Sequence, residues 1–397
     1  MRRTTICCSA LALIAGLSPF LTAQTTPSPS RRVKQTSAAD DRSPQSLFPL
    51  KPLWTLALNN GLTAPPAFDA TRGFFPLDGD QIAAYNLVTG ALLWVMPAGT
   101  RVEPATGDDL VFVFEPGVLA ARHAESGEVA WKLPFTDTLA VPPVWDNGWL
   151  ITASTSGEVM AFRAKDGQLI WRRNVGAALH ARPALSADRV YLPMTDSRVV
   201  ALHIETGAPL WDRRLGGAAN DILALDERIY LGSQDKYMYC LNTKDGAVEW
   251  RWPTGGPVIG LPVVDKRTVF FVSLDNVLRA LNRSSGVQRW KSALPLRPAS
   301  GPLKAGDTLL VAGVSPVLRA YRVQDGKAAG DLSTGGELGA PPRLFAQPSQ
   351  AFPIVVAVTR DIVKGSTVMA WTRSVEPTVG AIAPLPDLIP MSPPTRP

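Results

Sequence analysis

Cysteine, histidine and charge are all scarce in this 397-residue chain: three Cys, three His, and 19% Asp, Glu, Lys and Arg combined. So few thiols exclude a disulfide-built scaffold. There is no HExxH, paired CxxC, nucleophile elbow or Gly-rich phosphate loop, which removes the commonest zinc, redox, esterase and nucleotide chemistries. Beyond residue 25 no apolar run is long enough to span a bilayer. What the chain does have is 46% hydrophobic residues with 11 Trp, ample for a core and unlike a disordered composition.

Arg2 and Arg3 precede an apolar stretch over residues 6–21 that ends in Leu21-Thr22-Ala23. This pattern predicts a secretory signal peptide over residues 1–23, and hence export. Cleavage there removes Cys7 and Cys8 and leaves Cys240 as the sole thiol. Cys7 and Cys8 stand at the start of the apolar stretch rather than just after it, so no lipid anchor is expected. The net charge of +6 is carried by scattered cations; the densest groups are Arg31-Arg32-Val33-Lys34, Arg172-Arg173 and Arg213-Arg214. Nucleic-acid binding would want them gathered on one face, and it is not expected. Residues 24–50, rich in Ser, Thr and Pro, read as a disordered linker, and residues 377–397 as a disordered Pro-rich tail.

Between these ends the tryptophans recur at a nearly constant interval: Trp54, Trp94, Trp131, Trp171, Trp211, Trp250 and Trp290. One further step lands on Gly330. Aligned on them, the chain repeats one phrase, as in AAYNLVTGALLW (83–94), VALHIETGAPLW (200–211) and YCLNTKDGAVEW (239–250). A period near 40 marks a propeller or a solenoid. Each unit breaks at Gly, Pro or Asp every five to seven residues and carries β-branched runs between polar turns. A helical repeat is thereby excluded, and four short antiparallel strands per unit are predicted. Gly90, Gly127, Gly167, Gly207, Gly246, Gly286 and Gly326 share one turn position where a positive φ is expected. Radial stacking of such sheets buries their faces, which makes the chain an all-β, single β-propeller over residues 51–376. The segment around Trp54 resembles a fourth strand without partners, while the last unit has three strands and no fourth. Joined, they complete an eighth blade, closing the ring between the two ends of the chain.

The phrase A-x-x-x-x-[TSD]-G-x-x-x-W at this period resembles the tryptophan-docking motif of the quinoprotein, or PQQ-like, propeller superfamily. Two branches of it imply different functions. One is the quinoprotein dehydrogenases, which hold pyrroloquinoline quinone and Ca²⁺ and typically present adjacent cysteines. The other is the BamB-type factors of outer-membrane β-barrel assembly, similar single rings without an enzymatic role. Cys240 has no cysteine neighbour, and the starts of the innermost strands offer only Arg101, Glu103, His180, Arg182, Asn220 and Asp221 as candidate cofactor contacts. Hard Ca²⁺ wants six to eight oxygens, so neither a metal site nor a catalytic residue nor a bound cofactor is expected. His123 and His203 share one slot of the repeat with Asn86, Arg163, Asn242 and Arg322 and read as scaffold positions. The resemblance thus implies a periplasmic, monomeric scaffold whose partners are envelope or outer-membrane proteins, the β-barrel assembly machinery among them. A quinoprotein dehydrogenase and a carbohydrate- or peptidoglycan-binding propeller are the alternatives. The loops Ser154-Thr155-Ser156, Thr195-Asp196-Ser197, Gln234-Asp235-Lys236 and Asp275-Asn276 are the candidate contact surface.

Overall fold

The computed structural model describes residues 47–58, 60–346, 352–361 and 365–374. The expected signal peptide, residues 24–46 of the linker and the tail lie outside them. All regular structure among the described residues is β. Seven four-stranded antiparallel sheets follow one another along the chain. Blade one consists of Ala67–Phe68, Arg72–Leu77, Gln81–Asn86 and Leu92–Pro97. Blades two to seven cover residues 105–134, 144–174, 184–214, 219–253, 258–293 and 303–333. The eighth blade is built from Glu337–Leu338 and Arg343–Phe345, then Ile354–Asp361, Gly365–Arg373 and, from the other end of the chain, Leu50–Leu58. That last strand pairs antiparallel along Gly365–Arg373, from Leu50↔Arg373 to Leu58↔Ser366. The molecule is an eight-bladed β-propeller.

Burial follows from position within each blade. The two middle strands lie between neighbouring blades and are apolar on both faces: Val190, Tyr191 and Leu192 are buried, as are Val199, Val200, Ala201 and Leu202 opposite them. The fourth, outer strand has one side toward a neighbour and one toward solvent, so Leu169–Asn174 buries Trp171 and exposes its flanking residues.

The repeated Trp and Gly meet across blade boundaries. Each indole lies over the turn glycine of the next blade, so closely that a Cβ on Gly207 would stand 2.7 Å from the Trp171 ring. These glycines have φ between +64° for Gly207 and +75° for Gly127, where other residues are strained. The indole N–H then donates to the carbonyl three residues before that glycine: Trp94 to Ala124 at 3.0 Å, Trp211 to Thr243 at 2.9 Å, Trp290 to Val323 at 3.0 Å. Trp94, Trp171 and Trp250 are buried; Trp54, Trp131, Trp211 and Trp290 keep one ring edge partly open.

At the boundary between blades seven and eight Gly330 replaces the Trp, and Phe48 takes the vacated space: a Cβ on Gly330 would lie 2.9 Å from the Phe48 ring. Leu47, beside it, is 1% exposed, and its N–H donates to Thr308 Oγ1 at 3.3 Å. Residues 47–50, placed with the linker on composition, therefore belong to the ring. Their two apolar side chains outweigh the polar run before them.

Replacing a wedge side chain by Ala should cost about 3–5 kcal/mol for the buried Trp171 and about 2–4 kcal/mol for the half-buried Phe48. Urea denaturation of Trp171→Ala and Phe48→Ala checks both; a Phe48→Ala variant as stable as the wild type would remove Phe48 from the closure.

Candidate functional site

The innermost strand of most blades is interrupted. An isolated bridge (Leu62↔Leu77, Leu139↔Ser154, Leu179↔Met194, Pro298↔Gly313) precedes a short strand, and a proline at the break removes one backbone donor. Pro66, Pro104, Pro143, Pro183, Pro262, Pro302 and Pro342 occupy this break. The residues just before it, among them Glu103 and Arg182, and Asp221 at the equivalent point of blade five, turn away from the ladder and toward the centre of the ring.

Three of these charges converge there. The two terminal guanidinium nitrogens of Arg182 donate to the two carboxylate oxygens of Glu103, Nη1 to Oε1 at 3.0 Å and Nη2 to Oε2. Arg343 Nη2 lies 3.5 Å from Glu103 Oε1. Arg182 belongs to blade four and Arg343 to blade eight, which stand diametrically opposite in a ring of eight, so a carboxylate touching both sits near the axis. Glu103 is 6% exposed, enclosed by the two guanidinium groups. Burial raises the Asp221 carboxyl above its ordinary range against the opposing pull of Arg182 and Arg343, and burial likewise lowers the Arg343 guanidinium. Next to this group opens a cavity of about 390 Å³, walled by Ile222, Leu261, Val263 and Leu303 and reached by Arg182, Asp221 and Arg343.

The remaining candidates lie further out. Gln234 Nε2 donates to Asn220 Oδ1 at 3.1 Å and stands 3.5 Å from His180 Nε2, linking a hairpin of blade five to the first strand of its own blade and to the connector before blade four. Asn220 Nδ2 also donates to the Val258 carbonyl of blade six. Arg101 stays at the rim, exposed, 3.3 Å from Asp80. His203 Nδ1 accepts from the Glu205 N–H in its turn, as Asn86 Oδ1 accepts from Val88 and Asn242 Oδ1 from Lys244, so this slot caps a hairpin. Sequence reasoning missed Arg343. Its signal was present: the equivalent positions are Ala67, Ala105, Val144, Ala184, Leu223, Val263 and Leu303, and only the last unit places a charge there.

The hairpins between second and third strands and the connectors between blades share one face. Thr155 donates to Thr138, Thr195 to Ala178, Gln234 to Ala218 and Leu274 to Pro257, each through backbone N–H and C=O. Asp275 anchors one such hairpin. Burial opposes its charge, but hydrogen bonds from Arg279, Ser273 and the Gly255 N–H outweigh that and bring its pKa to about 2.

The donors do not fit a hard divalent cation. Both oxygens of Glu103 are taken by guanidinium groups, Asp221 is biased toward its neutral form, and among the described residues no group of three or more His, Cys, Asp and Glu converges. Cys240 lies inside blade five, 0% exposed, and burial, aided by Glu249, pushes its thiol up to about 12.

Ring, docking motif and repeat together define a propeller of PQQ-like repeats. A family model described as outer membrane protein assembly factor BamB matches residues 51–133, 115–224 and 216–360, and the chain belongs to that family. Among solved structures, BamB from Moraxella catarrhalis is similar at 19% identity, over 81% of this chain and 99% of that one, with a TM-score of 0.66. The computationally designed Ika8 protein is similar at 14% identity over 81% and 99%, TM-score 0.65. So is the quinohemoprotein alcohol dehydrogenase from Comamonas testosteroni, at 12% identity over 83% and 78%, TM-score 0.65. At these identities the likeness is one of fold. No curated protein matches the chain in sequence.

Asp221, with its pKa raised in the fold, favours folding most in its protonated form. Its contribution is complete below about pH 4 and is lost as pH rises through the raised value. Asp221→Asn should therefore match the wild type at pH 3 and exceed it at pH 7, as read from urea midpoints. The Cys240 thiol should resist a thiol-reactive dye at pH 8 until denaturant is added; rapid labelling of the native protein would contradict its burial.

Proposed function

We propose that this chain is an exported, periplasmic, non-catalytic scaffold that docks on envelope proteins and serves outer-membrane β-barrel assembly. The observation that carries this reading is the axial Glu103–Arg182–Arg343 group. In a fold shared with dehydrogenases, the ring centre of this chain holds one carboxylate between two guanidinium groups, and among the described residues there is no convergent set of metal ligands and the one thiol is buried. Membership of the BamB family over residues 51–360 supports the same reading. The working surface is then the loop face. Hairpins anchored by Asp235, which accepts from Tyr239 at 2.6 Å, and by Asp275 display exposed Lys236 and Asn276, and the blade-four hairpin displays Thr195, whose N–H donates to the Ala178 carbonyl at 2.9 Å.

One observation favours a second reading. The apolar cavity beside two guanidinium groups is of a size to accept a planar carboxylated ligand, as a quinone-dependent enzyme would need.

Photo-crosslinkers at Thr195, Lys236 and Asn276 in living cells should recover outer-membrane assembly proteins; recovery of glycans instead would replace the scaffold with a polysaccharide-binding ring. Adding pyrroloquinoline quinone with Ca²⁺ to the purified chain and following dye reduction with alcohols or sugars should give no turnover above background. Turnover would establish the enzymatic reading.

A further inference from the structure

The outer strands of the blades are free edges, each presenting unpaired backbone groups that invite another strand. Natural sheets block such edges with charge, and this chain does so at one recurring place. The residue directly after the docking tryptophan, or after Gly330 in its stead, is exposed in every blade. It is Lys132, Arg172, Asp212, Arg251, Lys291 and Asp331 in blades two to seven, and Thr55 in blade eight, whose strand also carries Lys51 and Pro52. In blade one it is Val95. No charged residue occurs in the sequence from Leu87 to Thr100, and the one cation that reaches the strand, Arg122 of blade two, caps the Pro97 carbonyl at 2.8 Å and leaves the backbone at Leu93 and Val95 as the open part of the edge. Along the same edge Leu92 is 53% exposed, Leu93 42% and Val95 42%, with Val88 at 41% in the adjoining turn. Seven sister strands preserve the polar guard and one lacks it, although all eight face water.

We infer that the outer strand of blade one, Leu92–Pro97, is a docking edge that takes an extended, uncharged, apolar-alternating segment of a partner polypeptide as a fifth strand. Backbone hydrogen bonds along the edge supply affinity, and apolar side chains beside Leu93 and Val95 supply selectivity. A second copy of this chain fits poorly. Pairing two such strands about a twofold axis would set each bulge near Leu92–Leu93 against the Pro97 end of the other, which lacks an N–H, and both ends of the ladder would lose bonds. A foreign strand with neither bulge nor proline can adjust its register.

The inference rests on the scaffold reading for the identity of its clients, but the binding itself is tested apart from it. The probe is a fluorescent peptide of about ten residues alternating Val and Thr, with Lys at each end, titrated into the full-length chain. One peptide should bind per chain. Val95→Lys, which installs the guard of the other blades, should weaken binding about tenfold or more, with an unchanged melting temperature because the position is exposed. Lys132→Val, which removes the guard from blade two, should raise the stoichiometry from one to two. The proposal fails if the wild type does not bind, if Val95→Lys binds as the wild type does, or if Lys132→Val gains no second site. It fails too if sedimentation shows a dimer that Val95→Lys splits, since the occupant would then be a second copy. Crosslinking from Thr195, Lys236 and Asn276 separates the two readings. Crosslinks retained while Val95→Lys binds normally sink the edge alone, whereas crosslinks to assembly proteins absent while the edge behaves as described sink the scaffold alone.

Discussion

The ring stands on the contact between an indole and a glycine. Each outer-strand Trp fills the gap that opens between blades as they fan out from the axis, and its N–H is satisfied by a carbonyl of the neighbouring blade, so a large apolar surface is buried with no polar atom stranded. The glycine beneath is constrained twice over: its positive φ makes the hairpin, and its missing Cβ leaves room for the ring. Neither residue works without the other. Repetition of the pair sets one blade-to-blade spacing, and that spacing makes eight blades close.

The centre follows from the rim. Once the wedges hold the blades in register, the innermost strands converge, and their proline-marked breaks aim side chains at a common axis. Two arginines from opposite sides then find one carboxylate between them. A buried ion group of this kind contributes little net stability, because desolvation offsets attraction. Its effect is to hold a carboxylate at the axis with both of its oxygens already partnered. In the proposed scaffold reading, the polar hairpins on the loop face, tied down by Asp235 and Asp275, are the surface that meets other molecules.

Much of this architecture is readable from the chain itself because it is periodic. The Trp and Gly positions announce blade, turn and closure, and the unpaired first strand and three-stranded last unit point to each other in the sequence alone. The pairing of Glu103 with Arg182 is not readable in that way. The residues lie 79 positions apart and meet only because a ring folds two blades' separation into one contact. Arg343 hides for a different reason: it becomes conspicuous only against seven small or apolar counterparts. Leu47 and Phe48 were obscured by the Ser- and Pro-rich company they keep, since composition averaged over a window conceals two apolar residues at its end.

The joint between Leu50–Leu58 and Gly365–Arg373 has a temporal side. Among the described strands Leu50–Leu58 is made first and paired last, since some three hundred residues separate it from Gly365–Arg373. A chain built in this way cannot finish folding piecemeal during synthesis. Until the far end arrives, the Phe48 seat on Gly330 is empty and the eighth blade lacks its outer margin, so the circle snaps shut in one late event that long-range contacts make slow.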